Sequence, residues 1–258
     1  MAMMMMRAVG VMALLLVAGA AQSKVVISGT RVIYPAQERE VAVRLNNLAE
    51  HEPSVLQIWL DDGQEDSSPD TVEVPFVVSP PVFRMDPGSA QALRLSYTGE
   101  PLPGDRESLF WLNVLEIPPS AAEEGDEAQL LQFAYRTRLK TLFRPQGLAP
   151  AADKVPQQLQ WSLHPAQGKR GAIVQVRNPT PYFVSFAGLK LVDGPHSTAY
   201  KRGQHVTANM VAPHAQQQFE FPDLARRPGA GAQIAFVTIG DYGNRVESVA
   251  PLSVGDGG

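Results

Sequence analysis

Residues 130–145 read LLQFAYRTRLKTLFRP, and their bulky apolar side chains fall on every second position. Leu131, Phe133, Tyr135 and, after Thr137, Leu139 share one parity; Gln132, Ala134, Arg136, Arg138 and Lys140 share the other. A period of two over this length predicts a β-strand with one apolar and one polar face. The strand is long for a small domain and ends in a cluster of positive charge at Arg136, Arg138, Lys140 and Arg144. Such a strand lies either deep in a sandwich or against a partner, and alternation alone is compatible with both.

The rest of the chain reads as β throughout. Strands are expected over 25–27, 31–34, 41–46, 56–61, 92–97 and 109–117, with the long strand closing the set. The segment 76–79 runs into Pro80-Pro81, which makes it an edge strand or ends it. Seven or eight short strands separated by turn signals predict an immunoglobulin-like sandwich. After Arg144-Pro145 the sequence QGLAPAADKVP reads as a linker. A second series follows over 159–163, 172–177, 183–192, 206–211, 217–221, 233–239 and 245–254, broken by Asn178-Pro179, Asp193-Gly194, Ala212-Pro213, Pro228-Gly229 and 241–244 (DYGN). No amphipathic helix and no short-period repeat is expected. The fold class is all-β: two immunoglobulin-like β-sandwich domains in series, over 22–146 and 147–258. The acidic run 61–73 (DDGQEDSSPDTVE) is expected to be a solvated loop.

Residues 1–21 have a positive start at Arg7, an apolar run from Val9 to Ala18 and small residues through Ala21. This is the layout of a secretory signal peptide, and the run is shorter than the ~20 apolar residues a membrane span needs. A mature, exported chain without stable membrane insertion is therefore expected. It contains no cysteine, so its stability rests on its own cores rather than on disulfides. Without the leader, Lys and Arg fall from 22 to 21 against 26 Asp and Glu, a net charge of −5. That balance excludes nucleic acid as the expected partner.

Enzyme signatures are missing. The five histidines, at 51, 164, 196, 205 and 214, have no ligand spacing, and the acidic run lacks the alternation of a calcium loop, so no metal is expected. No nucleophile elbow, phosphate-cradling loop or dinucleotide fingerprint occurs. Four charged residues still ask for a reason. Glu116 follows an apolar strand in FWLNVLEIPP, Arg144 ends the long strand, and Asp241 sits in IGDYGN. An arginine fork can engage two carboxylates across a domain junction, although three unrelated surface charges fit the spacing equally well. Arg31 is an isolated cation in an early strand; with Lys140 it makes a two-cation pocket for a carboxylate if the fold brings the two together.

TRVIYP at 30–35, PPVFRMDPG at 80–88, FWLNVLEIPP at 110–119, RTRLKTLFRP at 136–145, NPTPYFVSF at 178–186 and GDYGN at 240–244 together resemble the pilus (fimbrial) periplasmic chaperones of Gram-negative bacteria. These motifs occur in the family's order and cover both domains. The resemblance implies two immunoglobulin-like domains set at an angle with a cleft between them. It implies that Arg31 and Lys140 grip the C-terminal carboxylate of a pilus subunit, and that Leu131, Phe133 and Tyr135 enter the groove where the subunit lacks its last strand. It assigns Glu116, Arg144 and Asp241 to an interdomain salt bridge. It further implies a periplasmic, cofactor-free, non-enzymatic chaperone with pilus subunits and an outer-membrane usher as partners. The short segment between Glu116 and Leu130 and the absence of cysteine resemble the short-loop branch. The exposed strand also makes a self-capping dimer conceivable. The competing expectation is an exported β-sandwich adhesin or carbohydrate-binding protein, for which Arg31 and Lys140 are dispensable.

Overall fold

A computed structural model describes residues 24–118, 133–166, 171–200, 209–222, 224, 228–229 and 231–254. The leader 1–21 and Leu131 lie outside the described residues. In chain order the first strands are β1 (Val25–Ile27), β2 (Arg31–Pro35), β3 (Glu40–Asn47), β4 (Ser54–Asp61), β5 (Phe76–Ser79), β6 (Val82–Met85), β7 (Ala90–Tyr97), β8 (Ser108–Ile117) and β9 (Tyr135–Arg144). They form two sheets, of order β1-β3-β7-β5 and β2-β9-β8-β4-β6. β5 is an edge strand, as the Pro80-Pro81 pair that follows it requires. The core between the sheets takes one parity from each strand: Leu56, Ile58 and Leu60 from β4, Phe110, Leu112 and Val114 from β8, and Leu139 and Phe143 from β9. Tyr34 is fully buried; its ring lies 5.4 Å from that of Phe76 and 5.9 Å from that of Phe143. Its hydroxyl accepts from the Tyr97 N–H and lies within hydrogen-bond reach of the Glu38 and Arg39 carbonyls, so a large aromatic is buried with its polar end satisfied.

The second series is β10 (Gln160–Pro165), β11 (Ala172–Arg177), β12 (Val184–Asp193), β13 (His196–Ala199), β14 (Met210–Val211), β15 (Gln216–Phe221), β16 (Gln233–Ile239), β17 (Arg245–Pro251) and β18 (Ser253–Val254). Its sheets run β15-β11-β10-β18 and β13-β12-β16-β17, with β14 pairing β12. They enclose a separate core in which Trp161, Phe186, Phe219 and Phe236 pack ring against ring at 4.9–6.5 Å. Two sandwiches in series agree with the expectation from alternation.

Three features differ from expectation. The linker is not structureless: a 3-10 helix spans Ala152–Gln158 and buries Val155 in the second core. The long strand starts at Tyr135, so Phe133 and Ala134 precede it without strand pairing. The acidic run is solvated only in part, because Asp61 closes β4 with its side chain fully buried.

Candidate functional site

The parity that faces away from the first core builds the site. On β9 this outer parity comprises Arg136, Arg138, Lys140, Leu142 and Arg144, and the facing positions of β8 include Trp111 and Asn113. β2 runs parallel to the second half of β9, with Arg31 opposite Lys140 and Pro35 opposite Arg144. Register thus puts Arg31 and Lys140 on neighbouring strands, about 5 Å apart at the backbone, which spacing in the sequence cannot reveal.

Both cations reach the second domain. Lys140 Nζ donates to Ser185 Oγ at 2.7 Å and lies 5.7 Å from the centre of the Trp111 ring. Arg31 Nη1 donates to the Ile239 carbonyl at 2.9 Å, while its buried Nε has no hydrogen-bond partner among the described residues. Burial lowers the Arg31 pKa, and the charges of Asp241 and Glu107 act in the opposite direction. A buried N–H without a partner calls for an acceptor.

Next to this pair, Arg144 bonds across the two domains. Its Nη1 and Nη2 donate to Asp241 at 2.6 and 2.8 Å as a two-pronged fork, and its Nε donates to Glu107 at 2.7 Å. Its guanidinium lies 5.1 Å from the Tyr182 ring centre. Burial works against the Arg144 charge, but these two carboxylates outweigh it and raise its pKa. Glu107 is buried; burial raises its pKa, opposed by Arg144 and by the Phe183 N–H, which donates to it at 2.8 Å.

Local sequence explains how the second domain offers these partners. The Asn178 side chain donates to the carbonyls of Tyr182 and Ala212 and accepts from Thr180, which fixes the NPTPYF loop. That loop brings the Pro181 carbonyl to the Glu107 N–H at 2.9 Å. The GDYGN segment is a tight turn in which Gly243 N donates to the Gly240 carbonyl. Gly243 has φ +79°, and a Cβ there would lie 2.8 Å from Thr30 Oγ1. Only glycine suits both the turn and the approach to the first domain. A cavity of about 250 Å³ lies at the junction, bounded by Arg31, Leu142, Arg144, Tyr182, Ile239 and Asp241 among others.

One expected member of this network is elsewhere. Glu116 shares parity with the core residues Phe110, Leu112 and Val114, not with Trp111 and Asn113. It sits opposite Tyr135, nine positions and about 30 Å along the strand from Glu107. There it accepts from Ser54 Oγ at 2.9 Å and Val25 N at 3.4 Å, tying β1 to β4. The carboxylate that joins Arg144 and Asp241 is Glu107, which the sequence reading missed. Counting parity from Trp111 back along β8 was the signal that could have found it.

A second ionic group, also missed, lies farther along the same outer face. The Asp61 carboxylate accepts from Gly63 N at 2.7 Å, Ser67 Oγ at 2.6 Å, Asn113 Nδ2 at 2.7 Å, Arg138 Nη2 at 2.7 Å and Arg136 Nη2 at 3.3 Å. Burial pushes its pKa up, but these hydrogen bonds and the Arg138 charge prevail and hold it below the usual carboxylate range. The guanidinium groups of Arg136 and Arg138 cover Trp59 and Trp111 at 4.8 and 5.0 Å.

Of the expected partner-facing residues, Phe133 is 53% exposed and Tyr135 half-buried. Residues 135–139 of β9 pair with β8 on one edge; among the described residues no strand pairs with their other edge. Among the described residues, no group of three or more His, Cys, Asp or Glu could hold a metal ion, and no helix is long and apolar enough to cross a membrane.

Comparison with known proteins matches both domains. The family profile described as "Pili and flagellar-assembly chaperone, PapD N-terminal domain" matches residues 24–149, and that described as "Pili assembly chaperone PapD, C-terminal domain" matches 154–250. The probable fimbrial chaperone YadV of Escherichia coli K12 is 40% identical over 230 residues, covering 88% of this chain and 89% of YadV. The chaperone protein FimB/FhaD of Bordetella pertussis is 38% identical over 242 residues, covering 92% and 91%. Among solved structures, the YadV chaperone superposes with a TM-score of 0.73 at 37% identity, and the CupB2 chaperone of Pseudomonas aeruginosa with 0.71 at 38%. These cover 89% and 88% of this chain and all of each solved chain.

Proposed function

The chain belongs to the pilus-assembly chaperone family, and on that premise we propose that it works in the periplasm, binds newly exported pilus subunits by lending them β9 as a missing strand, and delivers them to an outer-membrane usher. The observation that carries the reading is the juxtaposition of Arg31 and Lys140 at the point where β9 passes from an open edge to a paired one. Among the described residues Arg31 bonds across the junction to the Ile239 carbonyl, Lys140 to Ser185 Oγ and Arg144 to Asp241. The terminal carboxylate of a subunit supplies the acceptor that the buried Arg31 Nε lacks among the described residues.

Each step follows from ordinary forces. A carboxylate held by two partly desolvated cations is bound more firmly than on an open surface, and its position fixes the register of whatever strand it ends. From that anchor a subunit strand runs along residues 135–139 and bonds to their open main-chain edge. Leu131, Phe133 and Tyr135 then fill the subunit's groove, each contributing about 1.5–3 kcal/mol when fully buried. Glu107, Arg144 and Asp241 hold the two domains in the arrangement that keeps Arg31 beside the second domain. No catalytic group, metal or nucleotide is needed, because release follows when a better-fitting strand replaces β9. The same open edge lets two copies cap one another while no subunit is bound; monomer alone in sedimentation at high concentration sinks that dimer.

The deciding experiment is co-purification of the mature chain from periplasm beside Lys140→Ala and Arg31→Ala. Small pilin-like proteins accompany the wild type and are reduced at least tenfold with either variant. Equal recovery with all three chains overturns the carboxylate anchor, and no companion with any of them returns the adhesin reading.

A further inference from the structure

The first half of β9 is poorly held from the directions that usually order a strand. On its inner face Tyr135 is half-buried and Thr137 exposed, and the first buried side chain is Leu139. On its edges it has β8 on one side and, among the described residues, no strand on the other until Lys140 meets Arg31. A segment bonded along one edge, with little buried beneath it, is expected to fray. A frayed donor segment loses conformational entropy on binding that an ordered one has already lost.

What orders it lies on the outer face. Arg138 donates to Asp61 at 2.7 Å and to the Gln64 carbonyl at 3.3 Å; Arg136 donates to the Glu65 carbonyl and Ser67 Oγ at 2.7 Å each and to Asn113 Oδ1 at 2.9 Å. Both planes lie over indoles that are themselves buried, so this face is a closed seam rather than a docking platform. Asp61 is the hub. It is inaccessible to solvent and receives five hydrogen bonds, which uses the lone pairs of a carboxylate. Gly63, at φ +115° with Trp111 Nε1 3.5 Å from the position of a Cβ, turns the loop so that residues 63–67 come back over the arginines.

We propose that Asp61 is a positioning residue for subunit capture: through Arg136 and Arg138 it holds residues 135–139 of β9 extended against β8 from the outer face, which leaves the inner side chains and one main-chain edge presented to the subunit. The inference rests on the strand-lending reading above. It assigns the basic outer parity of β9 two tasks: Lys140 faces the subunit terminus, while Arg136 and Arg138 face the chain's own loop.

Hydrogen exchange of the free, full mature chain reads the clamp directly. Asp61→Asn keeps the size and one acceptor oxygen and removes the charge. Its amides at 135–139 exchange faster than the loss of global stability alone allows, by at least tenfold relative to the change at 140–144, which follows the whole domain, and the pilin-like proteins recovered from periplasm fall several-fold. Arg138→Gln, which keeps a long side chain over Trp111, gives the same pattern should Asp61→Asn fold poorly. A staple separates positioning from a direct role of the charge. Leu115 and Arg136 are directly opposed, so Leu115→Cys with Arg136→Cys in the Asp61→Asn chain restores slow exchange and recovery when oxidised and loses both when reduced. Unchanged exchange at 135–139, or fast exchange with full recovery, overturns the proposal. A wild type that brings no subunit sinks the strand-lending reading and this proposal with it; subunits recovered equally with wild type and Asp61→Asn sink this proposal alone.

Discussion

Residues 140–144 of β9 lie between β2 and β8 and bury Thr141, Leu142 and Phe143, whereas residues 135–139 have β8 on one side and bury only Leu139. One strand thus contains a segment paired on both edges over buried side chains and a segment paired on one edge over few. The difference arises from its neighbours: β2 starts at Arg31, so its pairing stops at Lys140. Arginines serve both halves differently. Arg144 spans two domains, while Arg136 and Arg138 return to a loop of their own domain. Stability and binding should therefore respond in opposite ways to changes in the two halves.

The largest effect on stability is expected from Phe143. It packs 4.7 Å from the Tyr97 ring and 6.2 Å from Phe76 in the first core. Phe143→Ala should lower the unfolding free energy by about 3–5 kcal/mol, as large-to-small aromatic changes in cores do, read from urea denaturation. Next comes Arg144→Ala, which leaves Glu107 buried without its cation. A loss of about 3 kcal/mol is expected, the low end for breaking a buried pair, because Asp241 is one-third exposed. A second transition in calorimetry, from domains that no longer unfold together, would mark the loss of the junction.

Acid separates the two ionic groups by sign. The folded state depresses the Asp61 pKa, so its stabilisation is complete above the ordinary carboxylate value of about 4 and is lost as pH falls through the folded value. Asp61→Asn should be less stable than wild type by about 3 kcal/mol near pH 7, and the gap should narrow on acidification. Glu107 is raised instead, so the stability its proton brings is present below the ordinary value and lost as pH rises through the folded one. Glu107→Gln should therefore gain on wild type as pH rises through that window. Parallel pH profiles for the two variants would contradict both assignments.

Much of this was legible in the sequence, and the exceptions have physical reasons. Alternation in β9 tells inner from outer side chains, because the pleat imposes a period of two whatever the partner. It does not tell where a neighbouring strand stops, so the change at Lys140 is invisible until β2 is placed. The same parity, applied to β8, separates Glu107 from Glu116: one faces Arg144 and the other faces the core. Motif likeness had put the ionic role on Glu116, and counting by twos corrects it. Asp61 was hidden by composition. A run of acids reads as solvated, and only the register of β4 with β8 and of β8 with β9 carries its first member under two arginines.

The smallest expected effect on stability is the sharpest test of the comparison. Phe133 precedes β9 and is 53% exposed, an aromatic whose burial the fold does not require. Phe133→Ala should change the unfolding free energy by no more than about 0.5 kcal/mol, as surface substitutions do. If the first half of β9 is presented to a subunit, the same change removes an aromatic ring from the interface. Recovery of pilin-like proteins should then fall at least tenfold, the equivalent of about 1.4 kcal/mol, less than a fully buried Phe contributes. A variant as stable as wild type and defective in capture places this side chain on the partner's side of the division. A variant that loses stability and capture together would mean that Phe133 belongs to the chain's own fold, and that the division of β9 into two halves lies farther from Lys140 than its pairing suggests.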